Sequence, residues 1–265
     1  MTFVIPFPSI DPVLISFGPI AIRWYSLAYI AGLLLGWKLL RRLVLRTPDV
    51  AGLGDADDYL VWATIGVILG GRMGYVLFYN AGTYLDDPLS IFAVWRGGMS
   101  FHGGLLGVVL ATIVFCRRRG IDLWPFADRV ACIAPIGLFF GRLANFINGE
   151  LFGRVTDVPW AVVFPRGGPE PRHPSQIYEA LGEGALLFAL LMWLVGSEPI
   201  RRRPGFLTGV FLAGYGSVRT VVELFRQPDA HLGFLSFGST MGQWLSVPLI
   251  LAGMFLIVRA RPLRR

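Results

Sequence analysis

Seven stretches of mostly apolar residues, each about as long as the hydrocarbon core of a bilayer requires, limit what this chain can fold into. They lie near 19–40, 59–79, 100–116, 128–147, 178–195, 206–224 and 242–259. A core about 30 Å thick takes roughly 20 residues of helix, and within it only helices and closed barrels satisfy every backbone group. Segments this long point to helices. The reading is an all-α, polytopic membrane bundle of about seven transmembrane helices, a single domain over 1–265. Composition agrees, because 54% of residues are hydrophobic and only 15% charged. The mean hydropathy of +0.60 lies outside the soluble globular range.

Lys38 is the only lysine, so the net charge of +7 rests on arginine. The arginines form short clusters between apolar stretches, which argues for membrane topology and against nucleic-acid binding. One side of the membrane collects Lys38, Arg41, Arg42, Arg46, Arg117, Arg118, Arg119, Arg129, Arg201, Arg202, Arg203, Arg259, Arg261, Arg264 and Arg265. The other has Arg23, Arg96, Arg154, Arg166, Arg172 and Arg226. The positive-inside rule makes the first side cytoplasmic, with the N-terminus outside and the C-terminus inside. Pro/Gly-rich stretches at 80–98 and 148–177 then face outward and are long enough for lids or interfacial arms. Residues 1–18, broken by Pro6, Pro8, Asp11 and Pro12 and without a basic start, do not read as a cleavable signal peptide. Cys116 and Cys132 sit in apolar surroundings without metal or disulfide spacing and read as packing residues. Gly66, Gly70 and Gly74 recur at helical spacing and let neighbouring helices approach.

Polar residues inside these segments need another explanation. A charge at mid-membrane costs at least about 2.5 kcal/mol, so it faces a polar cavity or a partner. In 137-GLFFGRLANFINGE-150, Arg142 and Asn145 fall about one helical turn apart, with Asn148 and Glu150 at the outer end. In 215-YGSVRTVVELFRQPDA-230, Arg219 and Glu223 form an i,i+4 pair, with Tyr215 one turn earlier and Arg226 one turn later. A self-satisfied structural ion pair explains one such set; two together suggest a site. His102, in 97-GGMSFHGGLLG-107, is flanked by glycines that leave an imidazole uncrowded, although a histidine at a membrane edge is more often interfacial. Tyr25 alone reads as aromatic belt. Arg72 pairs with an acid such as Glu223 or with a lipid phosphate. His173 and Ser175, before an expected helix start, read as capping residues.

Arginines, a histidine, amides and a tyrosine near the outer leaflet, with no Cys/His metal spacing, suit an anionic phosphate group. At that depth the natural ligand is a phospholipid headgroup. An arginine can hold its phosphate or stabilise it as it departs, and a histidine can serve as base for an incoming nucleophile.

The stretch 141-GRLANFINGELFGR-154 resembles the signature of the prolipoprotein diacylglyceryl transferases. Supporting blocks are 23-RWYSLAYIAG-32, 70-GGRMGYVLFYN-80, 97-GGMSFHGGLLG-107, 172-RHPSQIYE-179 and 214-GYGSVRTVVELFRQPDA-230. The resemblance implies transfer of the diacylglyceryl group of phosphatidylglycerol to the thiol of the lipobox cysteine in a prolipoprotein signal peptide, with release of glycerol phosphate. It implies a bacterial inner-membrane enzyme, active toward the outer face, with no metal or soluble cofactor. By the same resemblance Arg142 and Arg219 contact the phosphate, Tyr25, Asn145 and Gly153 shape the site, and His102 is the base. Glu150 and Glu223 are expected to orient the arginines, with Tyr215 and Arg226 completing the substrate-binding set. The segment between Arg154 and Arg172 is compact, which weighs against a loop-based capture of substrate.

A transporter would also keep an intramembrane Arg/Glu pair, but it calls for inverted repeats, and the two halves show no symmetry. An intramembrane protease is a poorer fit, since 214-GYGSVR-219 lacks a glycine after the serine and no later histidine is well placed.

Overall fold

A computed structural model of the chain describes residues 5–8, 10–18, 20–79, 81–93, 97–228 and 233–262. Arg96, Arg264 and Arg265 of the charge count, and Asn80, Asp229 and Ala230 of the motif blocks, lie outside them. Helices dominate: α1 (Trp24–Leu45), α2 (Leu53–Tyr79), α3 (Ala81–Asp86), α4 (Phe101–Arg119), α5 (Leu123–Ile147), α6 (Ser175–Glu179), α7 (Leu187–Gly196), α8 (Glu198–Arg201), α9 (Phe206–Val222) and α10 (Met241–Arg259). A π-helical segment, Ala180–Leu186, joins α6 to α7 in one continuous rod. Each of the seven apolar stretches therefore contains a helix. Five spans are long and apolar enough to cross a membrane: Leu53–Phe78, Phe101–Arg119, Leu123–Ile147, Ser175–Gly196 and Met241–Arg259. Helix α9 is apolar but shorter, and α1 carries Lys38, Arg41 and Arg42 in its second half.

The all-α expectation needs one amendment. Strands β2 (Val13–Phe17) and β3 (Ile20–Arg23) pair antiparallel, and β1 (Ile5–Pro6) pairs parallel with β4 (Val162–Val163). Ile20 and Ile22 are β-branched and have Phe17 and Ile15 as cross-strand partners, so they extend the strand rather than α1. Helix α1 accordingly starts at Trp24, five residues after the expected position.

The chain forms two compact units, Trp37–Ala127 and the remainder, Met1–Gly36 with Asp128–Arg265. In the first, α2 and α4 meet along a glycine seam. A Cβ on Gly66 would stand 2.7 Å from the Gly107 carbonyl oxygen and 3.0 Å from Ala111 Cβ, a space only hydrogen can occupy. Tyr59, nearly fully buried, hydrogen-bonds Thr112 across the same interface at 2.7 Å and meets Phe126 edge-on. Overpacking so tight a contact costs about 1–3 kcal/mol. Gly66→Leu is therefore expected to lower the thermal unfolding temperature in detergent micelles, whereas an unchanged transition would mean that the seam is slack.

In the second unit, α9 and α10 approach through Gly209 and Gly253 in the same way, a Cβ on Gly209 falling 2.7 Å from the Gly253 oxygen. Helix α9 begins at a buried carboxylate on α5. Asp128 accepts from the Gly205 and Thr208 amides at 2.9 and 2.8 Å and from the Thr208 hydroxyl at 2.8 Å. It thus occupies the place of an N-cap supplied by another helix, satisfying amides that would otherwise be orphaned. This anchors α9 against α5 at one end and fixes how Arg219, near its other end, faces Arg142.

Candidate active site

Three helical elements of the second unit bring together charges that are far apart in sequence. Arg142 comes from α5, Arg219 from α9, and Glu179 and Glu183 from the rod formed by α6 and the π segment. Glu179 and Glu183 are four residues apart, a spacing that puts them on one face of the rod. Glycines let the π segment pack. A Cβ on Gly184 would meet Phe139 Cβ at 2.7 Å, and one on Gly182 would meet Val218 Cγ1 at 2.5 Å.

Arg142 spans the two carboxylates, Nη1 lying 3.3 Å from Glu179 Oε2 and Nη2 3.3 Å from Glu183 Oε2. Arg219 Nη1 donates to Glu179 Oε1 and lies 3.6 Å from Glu183 Oε1, while Nη2 reaches Glu223 Oε1 at 2.6 Å. Arg226 Nη1 stands 3.5 Å from Glu223 Oε1 and 4.0 Å from Glu179 Oε1. Three guanidinium groups thus face three carboxylates. Glu179 and Glu183 are wholly buried, whereas Arg142 and Arg219 keep 13% and 10% of their side-chain surface open. The cations are therefore the groups an incoming ligand meets. Their hold on the acids is also incomplete, because Glu179 Oε2 and Glu183 Oε1 accept no hydrogen bond despite lying at ion-pair range.

Glu150 is occupied differently from the orienting role expected for it. Its Oε1 accepts from Asn145 Nδ2 at 2.8 Å and from Asn148 Nδ2 at 3.4 Å. The acids against the arginines are instead Glu223, Glu179 and Glu183. Glu150 precedes Leu151, whose φ of 59° is uncommon for a residue with a Cβ. The turn is held in that conformation by Ser175 Oγ, which donates to the Leu151 oxygen at 3.0 Å, and by Gln176 Nε2, which donates to the Glu150 oxygen at 2.6 Å. Ser175 therefore ties this turn and is no helix cap; α6 has no side-chain cap bond.

Tyr25 rests against Tyr29, ring centroids 5.2 Å apart. Tyr29 in turn lies within electrostatic range of Arg142 and Glu150. Tyr215 has the same relation to Arg142, Arg219, Glu179 and Glu183 and stacks on Phe211. Gly153 is required by space: its Cβ would fall 2.6 Å from both His173 Cβ and the Phe225 oxygen. There Gly153 pairs with Arg226 in an antiparallel bridge, and Arg154 donates to the Arg226 and Glu223 carbonyls at 3.0 Å each. The loop around Gly153 and Arg154 thus closes the end of α9, where helix carbonyls are otherwise unpaired. His173 joins the Tyr178 hydroxyl at 3.0 Å. Burial, and then the charge of Arg154, hold its imidazole below the ordinary histidine range, so it is neutral at pH 7.

His102 belongs to the other unit. It is the second residue of α4, exposed, with its ring edge-on to Phe101. Arg72, also there, pairs with no acid among the described residues: its guanidinium donates to the carbonyls of Ser90, Ile91, Gly97 and Gly98.

Glu179 and Glu183 were not among the residues singled out from the sequence. A signal existed for both, carboxylates inside the apolar stretch 178–195, where the cost argument used for the arginines applies equally.

Apolar spans together with a balanced group of buried arginines and glutamates define a multi-pass membrane protein with a polar site. Comparison with known proteins narrows the class. A family model described as prolipoprotein diacylglyceryl transferase matches residues 12–259. Proteins named phosphatidylglycerol–prolipoprotein diacylglyceryl transferase are similar along their whole length. The one from Paramagnetospirillum magneticum is 60% identical over 98% of this chain and 97% of its own. That from Rhodospirillum rubrum is 60% identical over 99% and 98%, and that from Azospirillum brasilense 57% over 97% of each. The chain belongs to the prolipoprotein diacylglyceryl transferase family and is a transferase.

Proposed function

We propose that this protein transfers the diacylglyceryl group of phosphatidylglycerol to the thiol of a lipobox cysteine in a prolipoprotein signal peptide, releasing glycerol phosphate. The observation that carries this reading is the pair of arginines, Arg142 and Arg219, whose side chains keep some exposed surface while their partners Glu179 and Glu183 are wholly buried, in a chain of this family.

The thiol loses its proton to His102, and the sulfur attacks the glyceryl C3 carbon. The bond between that carbon and the phosphate oxygen breaks, and its electron pair leaves with glycerol phosphate. Negative charge grows on the departing oxygen, where Arg142 and Arg219 stabilise it more in the transition state than in the ground state. A three-against-three cluster has no spare positive charge, so the phosphate competes with Glu179 and Glu183 for the N–H groups of Arg142 and Arg219. Glu223 and Arg226 keep Arg219 oriented while this exchange occurs. Tyr25, Asn145, Glu150, Gly153 and Tyr215 shape the substrate-binding surface, and no metal or cofactor takes part.

The enzyme acts in the bacterial inner membrane. Seven helices cross it as one domain over 1–265, including α1, at 22 residues long enough to span, and the shorter α9. The N-terminus and the stretches 80–98 and 148–177 lie outside, the C-terminus inside, and the site opens toward the outer face. Both substrates reside in the surrounding lipid.

Purified protein with phosphatidylglycerol and a lipobox peptide is expected to yield a diacylglyceryl thioether and glycerol phosphate in equal amounts, and nothing with the cysteine replaced by serine. Folded protein that makes no thioether in any lipid mixture would sink the reading.

A further inference from the structure

Arg72 is an unusual arginine for a membrane protein. It is 4% exposed, and no carboxylate among the described residues pairs with it. Nη2 and Nε donate to the carbonyls of Ser90 and Ile91 at 2.6 and 2.8 Å, and Nη1 donates to Gly97 and Gly98 at 2.5 and 3.1 Å. Tyr84 covers the guanidinium face, 5.1 Å from its ring centroid. Four carbonyl dipoles therefore solvate the charge in place of water, and one rigid fork holds two separate pieces of chain. Burying a cation without an acid costs several kcal/mol, and an apolar side chain would fill the same space without that cost. Holding the two pieces in a fixed relation is what the arginine adds.

The second piece runs directly into α4. Gly98, at φ +80°, lies so close to α2 that a Cβ there would fall 3.0 Å from Arg72 Nη1 and 2.6 Å from the Tyr75 ring. The Ser100 amide then donates to the Gly71 carbonyl at 2.8 Å, so the next residue on α2 grips the chain again. Ser100 is the N-cap of α4, its hydroxyl accepting from the Gly103 amide at 3.2 Å and its carbonyl from the Gly104 amide at 2.9 Å. His102 stands between these bonds, on the first turn, with its ring exposed.

We propose that Arg72 is a positioning residue for His102. By clasping the carbonyls of Gly97 and Gly98 it fixes where α4 begins, and so where the imidazole points. The inference rests on the reading of His102 as the base. Displacing a reacting group by about 1 Å can cost a hundredfold in rate. Such a displacement acts on turnover and leaves the affinity for lipid alone.

The test follows the histidine itself. The chain has only three histidines, so ring-labelled histidine in the full-length protein in micelles gives three NMR signals, that of His102 being identified by its loss in His102→Gln. In Arg72→Gln the His102 signal is expected to shift or broaden while the His173 signal stays. The kcat should fall about a hundredfold, with KM for phosphatidylglycerol within about twofold. Arg72→Lys should recover part of both, because an ammonium reaches some of these carbonyls but not all four. Gly98→Ala disturbs the same clasp without removing the charge, and is expected to move the His102 signal even if Arg72→Gln does not fold. An unmoved His102 signal in every folded variant, or a fall in kcat without that movement, overturns the proposal. Full activity in His102→Gln would instead remove the base assignment, while the signals still report whether Arg72 sets the imidazole.

Discussion

Arg142→Ala is expected to lose transfer by at least about 10²–10³-fold, the range for removing one preorganised donor to a developing oxyanion. The variant carries a second effect. Arg142 lies at ion-pair range of both Glu179 and Glu183, and removing one partner from a buried ionic group costs about 3–5 kcal/mol. Lost activity in this variant alone could therefore reflect a weakened fold. Pairing it with Glu183→Gln removes one buried negative charge along with the positive one and should restore most of the lost stability. Transfer should stay absent, because no neutral amide supplies the missing guanidinium. Arg142→Lys keeps the charge but not the two-pronged donor that reaches both acids, and falls between wild type and alanine. Thermal unfolding and product formation, measured on the same three preparations, separate the two effects. Activity returning with stability in the double variant would show that Arg142 serves the fold and not the chemistry.

His102→Gln is the second large effect, a loss of about 10²–10⁴-fold, as for removal of a general base. Here the fold should not suffer, since His102 is exposed on the first turn of α4, against Phe101. The pH profile gives the sharper result. A free thiol has a pKa of about 8.5, so below it the variant's residual rate should rise nearly tenfold per unit as solvent supplies the thiolate that the base no longer forms. If His102 takes the proton, the wild-type enzyme should be much less steep. Equal slopes would remove the base role from His102 and leave it a contact to substrate.

How much of this was legible in the sequence depended on the range of the interactions. Apolar length and spacing located every long helix, because a bilayer imposes a length on any helix that crosses it. The pairing of Arg219 with Glu223 was legible for the same local reason, a single helical turn. Strands β2 and β3 were not, since Ile20 and Ile22 suit the end of an apolar helix as well as a hairpin, and only pairing with Phe17 and Ile15 decides. Glu179 and Glu183 were hidden by sequence distance: Arg142 lies 41 residues from Glu183 and Arg219 lies 40 from Glu179. The π turn that carries Glu183 has no sequence signature beyond its glycines, which also suit ordinary close packing. Arg72 was misjudged for a related reason. Its sequence suggested an acid such as Glu223 or a lipid phosphate as partner, whereas its guanidinium donates to four carbonyls of a chain segment 18–26 residues away.

The most direct measurement uses phosphatidylglycerol carrying heavy oxygen in the bridge between the diacylglyceryl carbon and phosphorus. Purified protein is given this lipid and a lipobox peptide, and both products are weighed by mass spectrometry. Attack by sulfur on the glyceryl carbon, with phosphate departing beside Arg142 and Arg219, requires an unlabelled diacylglyceryl thioether and glycerol phosphate that retains all of the heavy oxygen. Label found in free diacylglycerol, or glycerol phosphate released without it, would place the broken bond at phosphorus and contradict the role given to the two arginines.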